Sequence, residues 1–183
     1  MTPATVACGS STGPDYITKH GINCYLQDLP GPTEEELETA TDLMIEVLVN
    51  YVGFPYTRDR INKRLLEEWE TYQMIVMPGT YFECAGSPSG LCAGQFTPYY
   101  KTIQTLYSEK CVALTALEHE LVHFFNWLIE HKVDVDHQNP TFFPGGCMGI
   151  KDEAAAIDCT SRSAENVANM ELCRAFCPEM GCH

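Results

Sequence analysis

Positive charge is scarce in this chain. Its 183 residues hold 11 Lys and Arg against 25 Asp and Glu, a net charge of −14 with the six histidines taken as neutral. A protein that grips nucleic acid neutralises phosphates with a basic face, so no nucleic-acid partner is expected. Long apolar runs are missing too. No stretch reaches the ~18 apolar residues that a membrane-crossing helix requires. The opening MTPATVACGSSTG has neither the charged start nor the apolar core of a secretory signal. A G-x-S-x-G nucleophile elbow is absent, and so is a glycine-rich phosphate loop. No two cysteines are spaced C-x-x-C, which argues against a zinc ribbon or a thioredoxin-type site.

Cysteine itself is abundant: ten, at positions 8, 24, 84, 92, 111, 147, 159, 173, 177 and 182. An even, high count in a short chain reads as a disulfide framework. The expected location is an oxidising compartment: secreted, periplasmic or cell-surface. Cys84 and Cys92 flank the loop AGSPSGL and form the natural local pair, whereas Cys173 and Cys177 are expected to bond elsewhere. A framework of oxidised cysteines also leaves little scope for a cysteine nucleophile. Cys8, in TVACGSS, sits in a context similar to a lipoprotein cleavage site, which would make it a lipid anchor; a plain disulfide role is preferred. Residues 1–15 read as a flexible leader and residues 16–183 as one domain, long enough to bury a real core.

Coarse patterning predicts an α+β fold. Residues 17–29 carry β-branched and aromatic residues as a strand does. Residues 31–53 form a helix capped by Thr33, with Glu36 completing a capping box and Gly53 and Pro55 ending it. Residues 57–72 are helical and charged, and read as a solvated face. MIVMPG (74–79) is an apolar run for a buried strand, residues 81–96 read as a loop or hairpin, and TIQTLYS (102–108) alternates as a strand. Residues 113–132 are the strongest helix, 133–149 mostly loop, and 151–176 helical with a break near 160–163.

Within the strong helix lies HELVH: His119, Glu120, Leu121, Val122 and His123. On a helix, positions i and i+4 lie one above the other, so both imidazoles can reach one metal ion. Glu120 neighbours the first histidine and reaches the ion's open face. Zinc in such a site lowers the pKa of a water it holds toward ~7 and polarises a carbonyl. Glu120 is then the general base and acid. The bland alternative is a pair of core histidines beside a solvated glutamate. Zinc hydrolysis wants a third protein ligand. His131 is eight residues past His123, ~12 Å along the helix and too far. His137, in the following loop, can fold back. Glu153 and Asp158, at the next helix, are the remaining candidates, each with the ordinary reading of an acid near a helix start.

The segment HELVHFFNWLIEHKVDVDHQNPTFF resembles the core of SprT-like zincins, in which HExxH is followed by a WLI-type stretch and then a His-Gly-Pro-x-Phe element. The matching positions are His119, Glu120, His123, Trp127, Leu128, Ile129, His137, Pro140 and Phe142 or Phe143. The resemblance implies that His137 is the third zinc ligand. It covers about 25 residues. Gln138 stands where the family has glycine and Asn139 is inserted before the proline. SprT-like proteins are intracellular and often basic, so the metal geometry carries over and the biology does not. Zincins also align substrate along a strand edge beside the catalytic helix; TIQTLYS reads equally as that edge or as an ordinary interior strand. Tyr99, Tyr100 and Tyr107 are weaker candidates for oxyanion contacts.

The expectation is therefore a disulfide-stabilised zincin-like domain with a small mixed sheet packed on the HExxH helix. It hydrolyses peptide or protein substrates with Zn2+ on His119, His123 and His137, and Glu120 as base. The rival readings are Glu153 as third ligand, a binding module with no turnover, and a zinc amidase acting on a non-protein substrate such as cell-wall peptide.

Overall fold

The computed structural model describes residues 13–68, 72–84, 89–106, 110–143 and 163–177. Residues 1–12 of the leader, with Cys8, and Tyr107, Glu153 and Asp158, lie outside the described residues. The element order is β1 (Tyr16–Ile17), β2 (Asn23–Tyr25), α1 (Glu34–Val47), α2 (Arg58–Glu68), β3 (Gln73–Met77), β4 (Phe82–Glu83), β5 (Leu91–Cys92), β6 (Gly94–Thr97), β7 (Thr102–Leu106), α3 (Lys110–Glu130) and α4 (Ala164–Phe176). The fold class is α+β, with four α-helices and a small mixed sheet among the described residues.

Local sequence signals place the helices. Thr33 caps α1: its hydroxyl accepts from the Glu36 N–H at 3.2 Å, and the Glu36 carboxylate accepts from the Thr33 N–H at 2.9 Å. Such a cap contributes about 1 kcal/mol. The helix widens into a five-residue π-turn, Leu48–Val52, and stops at Gly53, whose φ of 76° suits glycine. α2 is less solvated than its charge suggests. Arg60 and Arg64 reach across and donate to the carbonyls of Ile129 and Leu128, at 3.1 and 3.0 Å. They satisfy the end of α3, where helical carbonyls lack partners.

The main sheet has five strands in the order β1-β2-β3-β7-β6. The three central strands, β2, β3 and β7, are parallel to one another, and β1 and β6 pair antiparallel at the two ends. Met74, Val76, Phe96, Ile103 and Thr105 point to the face covered by the helices, as strand alternation requires. Ile75 and Met77 point the other way and are only half-buried, so the apolar run at 74–79 is an interior strand buried on one side.

Of the two readings of TIQTLYS the interior strand holds: β7, its residues 102–106, lies between β3 and β6. The chain at 94–97, read as part of a loop or hairpin, is a strand that folds back through the turn at 98–101. There Lys101 N–H donates to the Pro98 carbonyl at 3.1 Å. β6 thereby takes the outer position over α3, because Phe96 buries its ring against Tyr72 and Phe124.

Cys84 and Cys92 are joined by a disulfide, with their Cα atoms 5.8 Å apart, closing the β4–β5 hairpin. Cys173 and Cys177 each form a disulfide, and among the described residues no disulfide joins the two. Cys24 departs from the all-disulfide expectation: it is a free thiol, fully buried in β2, pushed up to about 12 by burial. In that environment it behaves as a small apolar core residue. Among the described residues no helix is long and apolar enough to cross a membrane.

Candidate metal centre

α3 is apolar on nearly every side. Leu117, Leu121, Val122, Phe124, Phe125 and Leu128 are all buried in the core. Full burial of each large side chain stabilises by roughly 1.5–3 kcal/mol, which holds α3 rigid and fixes the directions of the polar groups it carries. His119 and His123 project from one face. The chain then leaves the helix at His131, whose φ is 56°, and turns back. Asp134 builds this return. Its carboxylate accepts from the backbone N–H groups of Gln138 and Asn139 at 3.1 and 3.0 Å, and its carbonyl accepts from the His137 N–H at 2.9 Å. His137, itself at a φ of 51°, is thereby aimed at the other two histidines.

The three Nε2 atoms converge. They stand 3.3 Å apart between His119 and His123, 3.1 Å between His123 and His137, and 3.1 Å between His137 and His119. Three ligands of a tetrahedral ion with bonds of about 2.0–2.1 Å lie about 3.3 Å from one another, so the spacing fits one metal ion. The opposite ring nitrogens of His119 and His123 are already engaged. His123 Nδ1 donates to the Val133 carbonyl at 2.5 Å, and His119 Nδ1 donates to Glu165 Oε1 at 2.6 Å. Those bonds place the protons of His119 and His123 on Nδ1 and leave their Nε2 lone pairs facing inward. Lone pairs that meet at one point repel unless a cation lies among them. These three residues are the metal-capable group among the described residues.

The surroundings tune the rings. Burial, then the neighbouring His119, pushes His123 down to about 3, and the same two causes lower His137. Both are neutral at pH 7, the form that binds a metal. Burial also works to lower His119, but the hydrogen bond to Glu165 and the charges of Glu120 and Glu165 outweigh it, and its pKa is raised. Phe143 forms an apolar floor, with its ring centroid 4.5–5.3 Å from those of all three histidines. Phe142 instead packs on Tyr56.

Glu120 lies beside this cluster, 5% exposed, against the edge strand β6. Burial raises its pKa to about 7, against the opposing charge of His119 and a hydrogen bond from the Phe96 N–H. Its neighbour Glu118 is fully buried, and neither carboxyl oxygen has a hydrogen-bond partner. Burial holds that carboxyl well above the usual range.

Of the residues singled out from sequence, His119, Glu120, His123 and His137 come together, and His131 stays apart beside Trp127 and Arg64. Tyr99 and Tyr100 stack edge-on at 4.9 Å in the exposed turn beyond β6, with no described contact to the histidines. Sequence reading missed Glu165 and Asp134. Glu165 stands in the first turn of α4, after the N-cap Ser163. In the sequence it is one more acid near a helix start, like Glu153 and Asp158, and only the docking of α4 on α3 singles it out. That docking runs through the 140–143 turn: Ala164 and Glu165 N–H donate to the carbonyls of Thr141 and Phe142. Glu165→Ala is expected to weaken metal binding about 10–100-fold by freeing the His119 ring. Competition with a coloured chelator measures this, and an unchanged affinity would show that His119 needs no such partner.

Compared with known protein families, curated proteins and solved structures, the chain matches none.

Proposed function

We propose that this protein is a zinc-dependent hydrolase of peptide bonds, with a zincin-type arrangement of helix and sheet. The observation that carries the reading is the convergence of three Nε2 atoms within 3.1–3.3 Å, two from one helix and one from the loop after it. A buried glutamate stands next to the first of them. Zinc bound by His119, His123 and His137 would polarise a carbonyl and make water a competent nucleophile near neutral pH. Glu120, with its pKa near 7 in the metal-free protein, is matched to proton transfer at that pH. It takes a proton as water adds to the peptide carbonyl, and gives it to the amine nitrogen as the C–N bond breaks.

Substrate is positioned by β6. The bond from Leu106 N–H to the Ala93 carbonyl, with the register Gly94↔Thr105, turns the N–H and C=O groups of Gly94 and the C=O of Phe96 away from β7, while the Phe96 N–H is taken by Glu120. An extended peptide can add there as a further strand, directly over Glu120. The disulfide-closed hairpin β4–β5 borders this edge, and suits an oxidising compartment.

The test is cleavage of a mixed peptide library, read by mass spectrometry, with oxidised, zinc-loaded protein beside the same protein stripped by a chelator. Cleavage should appear with zinc and vanish without it. A zinc-loaded protein that cuts no member would sink the reading.

A further inference from the structure

Glycine in a strand weakens it unless something needs the space. Gly94 opens β6, the strand that packs on α3 against Glu120. Its backbone is not in the left-handed region that favours glycine, so torsion does not require it. Space does. A Cβ built on Gly94 would stand 2.7 Å from both Cγ and Oε1 of Glu120, and 3.1 Å from Cδ. Real Cβ atoms do not approach that closely, and Cγ is the stem of the side chain, not its free end. By strand alternation Gly94 faces α3, the same way as Phe96, whose ring is in the core. Glu120 has little room to retreat, because Leu117, Leu121 and Phe124 around it on α3 are themselves buried.

We propose that Gly94 is a positioning residue: the absent side chain at this point of the edge strand seats the Glu120 carboxylate beneath β6 and beside His119. The Phe96 N–H, on the free edge of the same strand, holds the carboxylate in that seat. The seat exists whatever Glu120 does chemically; its consequence for turnover rests on the function proposed above. Adding one methyl group at position 94 moves the carboxylate off its station, and a displacement of about 1 Å can cost 10²-fold in rate.

The experiment is a thermal-unfolding cycle of wild type, Gly94→Ala, Glu120→Ala and the double variant, with zinc affinity and steady-state kinetics on the first two. Gly94→Ala should lower Tm by several degrees, about 5 °C. In the Glu120→Ala background the same change should cost nothing, because the clashing atoms are gone. Gly94→Ala should also lower kcat about 10²-fold while zinc affinity and KM stay as in wild type. Equal Tm losses in both backgrounds, or a loss of zinc affinity, would overturn the proposal by showing that Gly94 acts on the strand or the histidines instead. If Gly94→Ala alone does not fold, the double variant should; its failure to fold would likewise overturn it. A wild type that cuts no peptide removes the peptidase reading, while the Tm cycle still decides whether Gly94 seats Glu120.

Discussion

Glu120→Ala is expected to lower peptide hydrolysis by about 10²–10⁴-fold with zinc content unchanged. The size follows from losing the positioned proton acceptor; the unchanged metal follows from geometry. The three convergent nitrogens belong to His119, His123 and His137, and Glu120 contributes none of them. The pH profile of the wild type carries the sign. The base works only when ionised, so kcat/KM rises with pH through the Glu120 pKa and levels off above it. In the metal-free protein that value is about 7, raised by burial. A bound cation favours the carboxylate and moves the acid limb below 7. An acid limb retained in Glu120→Ala would assign the titration to another group. Full activity in that variant would place the base elsewhere.

His137→Ala should reduce zinc affinity by more than the 10–100-fold assigned to loss of an outer partner such as Glu165, because it removes a converging donor. Two nitrogens on a rigid helix remain 3.3 Å apart but hold an ion through two bonds instead of three. Glu153→Ala, the rival choice of ligand, should leave affinity as in wild type. Isothermal titration or chelator competition on the two variants separates them. The reverse ranking would transfer the third position to Glu153 and reduce His137 to a neighbour.

The site was legible where chemistry follows helical period. His119 and His123 are four apart on a strongly apolar helix, and the helix rise that excluded His131 also holds in the structure. The α1 capping box and the Cys84–Cys92 pair were readable for a related reason, since each joins residues close in sequence. His137 was selected through a resemblance, not through spacing. Its actual placement depends on Asp134, whose carboxylate ties the loop on itself, and loop closure of that kind has no periodic signature. The strand at the sheet edge was not legible in residues 94–97, because a four-residue strand beginning in glycine looks like a turn. Its identity as a strand comes from partner β7 and from the burial of Phe96.

By itself, then, the sequence determined the α+β class, the helix that carries HELVH, two metal-directed histidines and the glutamate between them. It did so because helix periodicity and caps are local. Only the tertiary structure decided which loop residue completes the cluster, which carboxylate steadies His119, and which strand lies over Glu120. Those depend on contacts between residues 14 to 46 positions apart, such as His123 with His137 and His119 with Glu165. Such pairs are brought together by the packing of α3 against the sheet and α4, and that packing is set by the whole apolar core instead of any one segment.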